Sequence, residues 1–190
     1  MSNALPLRLT LVTAPQFEPV TVAEAKLHAR IDEDETAIAS LIATAREMAE
    51  TYTRRAFVTQ TWKMFLDQFP ACSVIEMPRA PLQSVTHIKT YDDADAATVF
   101  AASNYYVDAA TRPGRIVLRD AASWPDADRV ANAVEIQFVA GYGGVSLVPA
   151  QIKQAILLTV AHLYEHRGDA TMDLPETACV LLSAHKDWMV

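Results

Sequence analysis

Hydrophobic positions along this chain change period twice. Ile38, Leu41, Ile42, Ala45, Met48, Ala49 and Tyr52 recur at three- and four-residue intervals, the spacing of one helix face. From about Thr59 to Ala140 the period falls to two. Trp62, Met64 and Leu66 alternate with Lys63, Phe65 and Asp67, and Val134, Ile136 and Phe138 alternate with Glu135 and Gln137, as in half-buried strands. Shorter strands are expected at Val85–Tyr91, Tyr105–Asp108 and Arg115–Arg119. Turn-prone stretches, Tyr91-Asp92-Asp93-Ala94-Asp95 and Arg112-Pro113-Gly114, separate them. The helical period then returns: Ile152, Ala155, Ile156, Thr159, Val160 and Leu163 form a stripe that Leu157, Leu158 and Ala161 widen.

Local signals mark where these elements begin and end. Thr21-Val22-Ala23-Glu24 is a capping box that opens a short helix ending near Ile31. Asp32-Glu33-Asp34-Glu35 offers a second helix start, with acids at the positive end of the dipole. Arg54 and Arg55 are expected in that helix's last turn, the sign its negative end prefers. Gly141-Tyr142-Gly143-Gly144 leads out of the sheet, Pro149 sits near the first position of the next helix, and Gly168 is a plausible stop. A last helix is expected over 176–188. The pattern predicts an α+β chain, a helical bundle with an inserted small antiparallel β-sheet region. Its expected layout is a single domain: an irregular arm over 1–20, helices over 21–58, the β insertion over 59–140, a core helix over 148–168 and a C-terminal segment over 174–190.

Composition narrows the function classes. The 190 residues are 51% hydrophobic and 21% charged, a balance that supports a folded core and argues against wholesale disorder. Sixteen basic and 23 acidic residues leave a formal net charge of −7, which does not suit a protein that grips phosphate backbones. A transcription-associated helical module is disfavoured on that ground. Cys72 and Cys179 have no framework spacing and are read as free thiols in a reducing compartment. The opening MSNALPLRLT lacks a basic stretch followed by a long apolar core, so no secretory signal is expected, and no apolar run is long enough to span a bilayer.

Three motifs invite a chemical reading. His162-Leu163-Tyr164-Glu165-His166 matches H-x-x-E-H, which places two imidazoles on one helix face with a glutamate as base. A zinc hydrolase needs a further ligand, from Asp169, Asp173, Glu176, His185 or Asp187, and Arg167 would put a cation beside the metal. Gly141-x-Gly143-Gly144 precedes a helix but lacks both G-x-G-x-x-G and the Gly-Lys-Ser/Thr ending of phosphate loops. Asp32–Glu35 lacks the spacing of a calcium loop. No catalytic residue, metal or cofactor is expected; the small zinc hydrolase is the alternative. The aromatics Trp62, Phe65, Phe69, Tyr105, Tyr106, Trp124 and Tyr142 are expected to pack in the core or at an interface.

The order of the remaining motifs carries a resemblance. Val20-Thr21-Val22-Ala23-Glu24-Ala25-Lys26, Arg30-Ile31-Asp32, Tyr52-Thr53 closing an Ala-rich helix, and Thr59-Gln60-Thr61-Trp62 follow one another. Pro78-Arg79-Ala80-Pro81-Leu82-Gln83-Ser84-Val85, Ala140-Gly141-Tyr142-Gly143, Val148-Pro149 before Ile152-Lys153-Gln154-Ala155-Ile156, and Tyr164-Glu165-His166-Arg167 complete the series. Over residues 18–185 the chain resembles tailed-phage head–tail connector (adaptor) proteins, whose relatives occur in prophages and gene-transfer agents. It departs from that family's pattern at Arg54, where a glycine is usual, and at His166, where asparagine is frequent.

The resemblance implies a virion protein without catalysis, assembled in the bacterial host cytoplasm and placed at the head–tail interface. It implies a homo-oligomeric ring, commonly of twelve subunits, between the portal protein and a tail-completion or stopper protein. DNA would pass through the channel without specific binding, and no membrane partner is implied. The C-terminal segment would dock on the portal, which puts Leu174, Pro175, Leu181, Leu182, His185, Lys186 and Trp188 forward as partner-binding residues.

Overall fold

A computed structural model describes residues 8–32, 35–166 and 173–187. Among the described residues, four α-helices and two antiparallel β-sheets make up the α+β fold that the periodicity predicts. The chain groups into two compact units. One takes the described residues up to Ala14 and Gln60–Gly141; the other takes Pro15–Thr59 and the described residues from Tyr142 onward.

The helical unit begins with α1 (Val22–Ala29), and both hydrogen bonds of the Thr21–Glu24 capping box are present. α2 (Glu35–Thr53) buries Ile38, Ile42, Ala45 and Ala49 of the predicted stripe, while Leu41, Met48 and Tyr52 are partly buried against the same core. Both helices end with an arginine in the left-handed conformation, Arg30 at φ 54° and Arg54 at φ 59°. The N–H of Ile31 then donates to the Lys26 carbonyl at 3.1 Å, and that of Arg55 to Glu50 at 3.2 Å, each closing the six-to-one bond of a Schellman end. Arg54 and Arg55 therefore lie past α2 rather than in its last turn, a correction to the sequence reading.

α3 (Ala150–Glu165) is capped by Pro149 and buries all six residues of the predicted stripe. It packs against α1, α2 and α4 (Glu176–Ser183), and so forms the centre of the bundle. α4 is shorter than the expected 176–188. Gly168, Glu33 and Asp34 lie outside the described residues. The glycine turn does not open α3: a 3-10 turn, Val145–Leu147, stands between Gly144 and the Pro149 cap. Gly141 and Gly143 take φ of 125° and 108°, which explains glycine at these two places.

The β unit holds two sheets where the sequence suggested one. The larger is ordered β1-β2-β8-β4-β5, from β1 (Arg8–Thr13), β2 (Gln60–Leu66), β4 (Leu82–Tyr91), β5 (Ala97–Phe100) and β8 (Val134–Ala140). The smaller is ordered β3-β7-β6, from β3 (Val74–Glu76), β6 (Tyr105–Asp108) and β7 (Arg115–Leu118). β1 corrects the expected irregular arm over 1–20, since it pairs antiparallel with β2 from Arg8 opposite Phe65 to Thr13 opposite Thr61.

One face of the large sheet buries Met64, Leu82, Ile88, Ile136 and Phe138, while Ile75, Tyr105 and Ile116 of the small sheet are also buried. Phe100 stacks on Tyr105 at 5.9 Å and Phe69 on Trp124 at 4.8 Å, so these aromatics pack within the unit. The turn before β7 approaches β4 so closely that a Cβ on Gly114 would meet the Leu82 Cβ at 2.4 Å. Among the described residues no helix is long and apolar enough to cross a membrane.

Candidate interaction surface

The C-terminal segment is held to the helical unit by specific contacts. Arg55, positioned by the left-handed turn at Arg54, donates from Nη1 to the Tyr142 hydroxyl at 2.7 Å and from Nη2 to Asp187 Oδ1 at 2.6 Å. The Arg55 and Asp187 side chains are only 6% and 12% exposed. The Asp187 N–H donates to the Thr53 carbonyl at 3.0 Å, a second tie at the same point. Asp187 Oδ2 is buried without a hydrogen-bond partner. Lys186 Nζ lies 4.4 Å from the centre of the Tyr52 ring, and His185 Nε2 is 2.9 Å from Gln151 Oε1.

The described residues expected to bind a partner fall in different environments. Leu182 is wholly buried in the bundle core, and Leu174 and Leu181 pack against it. Pro175 caps α4 and is half-buried, as are His185 and Lys186. Trp188 lies outside the described residues. The exposed apolar residue of α4 is Val180, at 66% exposure, which the sequence reading did not single out. A shallow hollow is lined by Glu47, Met48, Thr51 and Tyr52 of α2 with Asp173, Leu174 and Cys179.

A second polar cluster supports the bundle from inside. Glu50 is buried and accepts from Arg46 Nη1 at 2.9 Å and from the Phe57 N–H at 2.7 Å, while Arg46 Nε donates to Glu18 at 2.8 Å. Burial would lower the Arg46 pKa. The hydrogen bond to Glu18 and the charges of Glu50 and Glu18 outweigh it and raise the pKa above the ordinary value.

The histidines of the H-x-x-E-H motif occupy the last turn and cap of α3. Their rings lie 4.2 Å apart, and the His166 Nδ1–H donates to the His162 carbonyl at 2.9 Å. Of the further ligand candidates, Asp187 is paired with Arg55, His185 is bonded to Gln151, and Asp169 lies outside the described residues, as does Arg167. Among the described residues no group of three His, Cys, Asp or Glu side chains is placed to hold a metal ion. Cys72 and Cys179 are both free thiols.

No family model and no curated protein matches the sequence. Solved structures do match. The chain superposes with a TM-score of 0.81 and 25% identity on a chain of the virion of a native gene transfer agent particle, covering 96% of both chains. A chain from the neck of an empty gene transfer agent particle, computed with C6 symmetry, matches at 0.82 and 26%, and one from the neck of the native particle, computed with C12 symmetry, at 0.81 and 27%. Each match covers 96% of this chain and 97% of the other. The fold described above is thus shared, along nearly its whole length, with chains of the gene transfer agent neck.

Proposed function

We propose that this chain is a head–tail connector subunit, a structural virion protein that forms a ring between the portal protein and a tail-completion or stopper protein. The observation that carries the reading is the whole-length likeness to chains of gene transfer agent necks, at 25–27% identity. The motif order along residues 18–185 supports the same role independently of the coordinates. One of the similar chains stands in a neck computed with C12 symmetry, which supports a ring of twelve copies. DNA passes through the centre without specific binding, a role that suits a net charge of −7. Assembly takes place in the bacterial cytoplasm, and the mature location is the head–tail interface.

Both units act together in this reading as one connector domain over 1–190. The C-terminal segment, 174–190, docks on the portal. Leu174, Leu181 and Leu182 anchor it to the bundle, while Pro175, His185, Lys186 and Trp188, with the exposed Val180, meet the partner. The role is structural and uses no cofactor.

Co-expression with the portal protein of the same particle, followed by electron microscopy, tests the role. A ring of this chain seated on the portal is expected. A chain that stays monomeric at high concentration and ignores the portal would overturn the proposal. Val180→Asp should abolish portal binding while leaving thermal unfolding unchanged, because the residue is exposed on α4.

A further inference from the structure

The large sheet has two open edges. β1 pairs only with β2 and β5 only with β4, so each presents an outer row of backbone N–H and C=O groups to no strand among the described residues. Neither β1, Arg-Leu-Thr-Leu-Val-Thr, nor β5, Ala-Thr-Val-Phe, contains the proline or lysine that commonly blunts such an edge. Both carry exposed apolar side chains instead: Leu11 and Val12 are 43% and 47% exposed on β1, and Val99 is 59% exposed on β5. Free edges with exposed apolar residues are templates for another strand.

Topology dictates how two copies would meet there. Four antiparallel pairings separate β1 from β5, so the two edge strands run in the same direction. A β1-to-β1 contact would be two-fold and would close as a dimer. A cyclic ring needs two different surfaces that meet head to tail. Resting on the ring reading above, we propose that the β1 edge of one copy pairs in parallel with the β5 edge of the next, continuing the five-stranded sheet from subunit to subunit.

Register follows from face and charge. Arg8, Phe65, Glu135, Lys89 and Val99 form one transverse row across the sheet, so Arg8 and Val99 share a face. Only even shifts along the strands keep the two faces continuous from copy to copy. A shift of two residues places Arg8 beside Ala97, Thr10 beside Val99 and Leu11 beside Phe100. Arg8, which bonds Asp67 at 3.0 Å and Asn132 at 2.7 Å within its own copy, then lies toward the acidic turn of Asp92, Asp93 and Asp95. Asp95 in that turn is paired with Arg129 at 3.1 Å, so the charges at this end are complementary although Arg8 and Asp95 already have partners. A stagger of about 7 Å per copy is the kind of offset that closed rings of strands absorb by tilting.

Engineered cysteines on the exposed face test the contact. In a Cys72→Ser/Cys179→Ser background, Thr10→Cys/Val99→Cys should cross-link on mild oxidation into a ladder running up to the full ring. A one-to-one mixture of the two single variants should stop at dimers, and each single variant alone should give none. Dimers from Thr10→Cys alone would reveal two-fold β1 pairing and overturn the proposal. Rings visible by electron microscopy without any ladder would overturn it too, while leaving the connector role standing. Absence of rings with portal present would overturn both.

Discussion

Arg54 ends α2 in a backbone conformation that suits glycine, at φ 59°, with its side chain exposed. A Cβ in the left-handed region costs about 1–2 kcal/mol. Arg54→Gly removes that cost, and the added freedom of the unfolded chain offsets part of the gain. The net expectation is a stabilisation of about 0.5–1 kcal/mol, read from the urea midpoint, with no gain for Arg54→Ala. Glu135 offers a second residue-scale test. Its side chain, 6% exposed, meets Lys63 Nζ at 3.0 Å, His87 Nε2 at 2.9 Å and the Tyr91 hydroxyl at 3.1 Å. Burial would raise the Glu135 pKa, but hydrogen bonds from His87 and Lys63, the Lys63 charge and the Tyr91 hydroxyl outweigh it and hold the carboxyl below the ordinary glutamate value. A depressed folded-state pKa contributes stability that is present above the unfolded value and is lost as pH falls through the folded one. Glu135→Gln should therefore flatten the acid limb of a stability–pH curve, measured by thermal unfolding between neutral and acid pH. An unchanged acid limb would show that other carboxylates set it.

At the scale of elements, the tie between α2 and the residues after α4 combines one buried ion pair with the Asp187 N–H bond to Thr53 and the Lys186–Tyr52 contact. Removing Asp187 takes away one buried carboxylate while Arg55 keeps its bond to Tyr142. The cost is therefore expected at or below the lower end of the roughly 3–5 kcal/mol typical of a broken buried pair. Asp187→Ala should lower stability on that order and open the C-terminal segment to limited proteolysis, whereas Arg55→Met/Asp187→Leu should lose much less. Protease resistance equal to the parent's would show that the backbone tie to Thr53 suffices. Elements of this kind differ in how far the sequence announces them. The two predicted helix stripes face the core as read, because a 3.6-residue stripe repeats over several turns and is hard to mistake. β3, with three residues, is too short to show a period, and β5 follows directly on the Asp-rich stretch that reads as turn, whereas β6 and β7 are legible at the same length of four. β1 does alternate, yet its neighbouring prolines read as irregular chain. In β4 the register shifts at Ser84 and His87 broke the alternation partway. The helix near residue 176 is present, but a hydrophobic pattern does not say which of the leucines there serve the chain's own core. Leu174 and Leu182 proved to be such residues, and the exposed Val180 was passed over.

For the whole molecule, the division of the β residues into two sheets was beyond the sequence reading, since which strands pair depends on long-range contacts rather than on period. Charge, by contrast, is legible without any structure and bears on assembly. In the proposed ring every copy would bring a net charge of −7, so neighbouring copies would repel at long range. The contacts that would hold the ring are short-range: backbone pairing at the sheet edge, apolar side chains, and Arg8 against the Asp92–Asp95 turn. The Debye length is about 30 Å at 0.01 M salt and about 8 Å at 0.15 M, so raising salt across this range removes most of the repulsion between whole subunits. It weakens a single close ion pair less, because a contact of a few ångströms lies inside either length. Ring formation by the purified chain should therefore strengthen as salt rises over this interval, as read by light scattering at fixed protein concentration. Assembly that weakens steeply with salt would mean that ion pairs between subunits outweigh both the net repulsion and the apolar strand contacts, and would move the subunit interface away from the β1 and β5 edges.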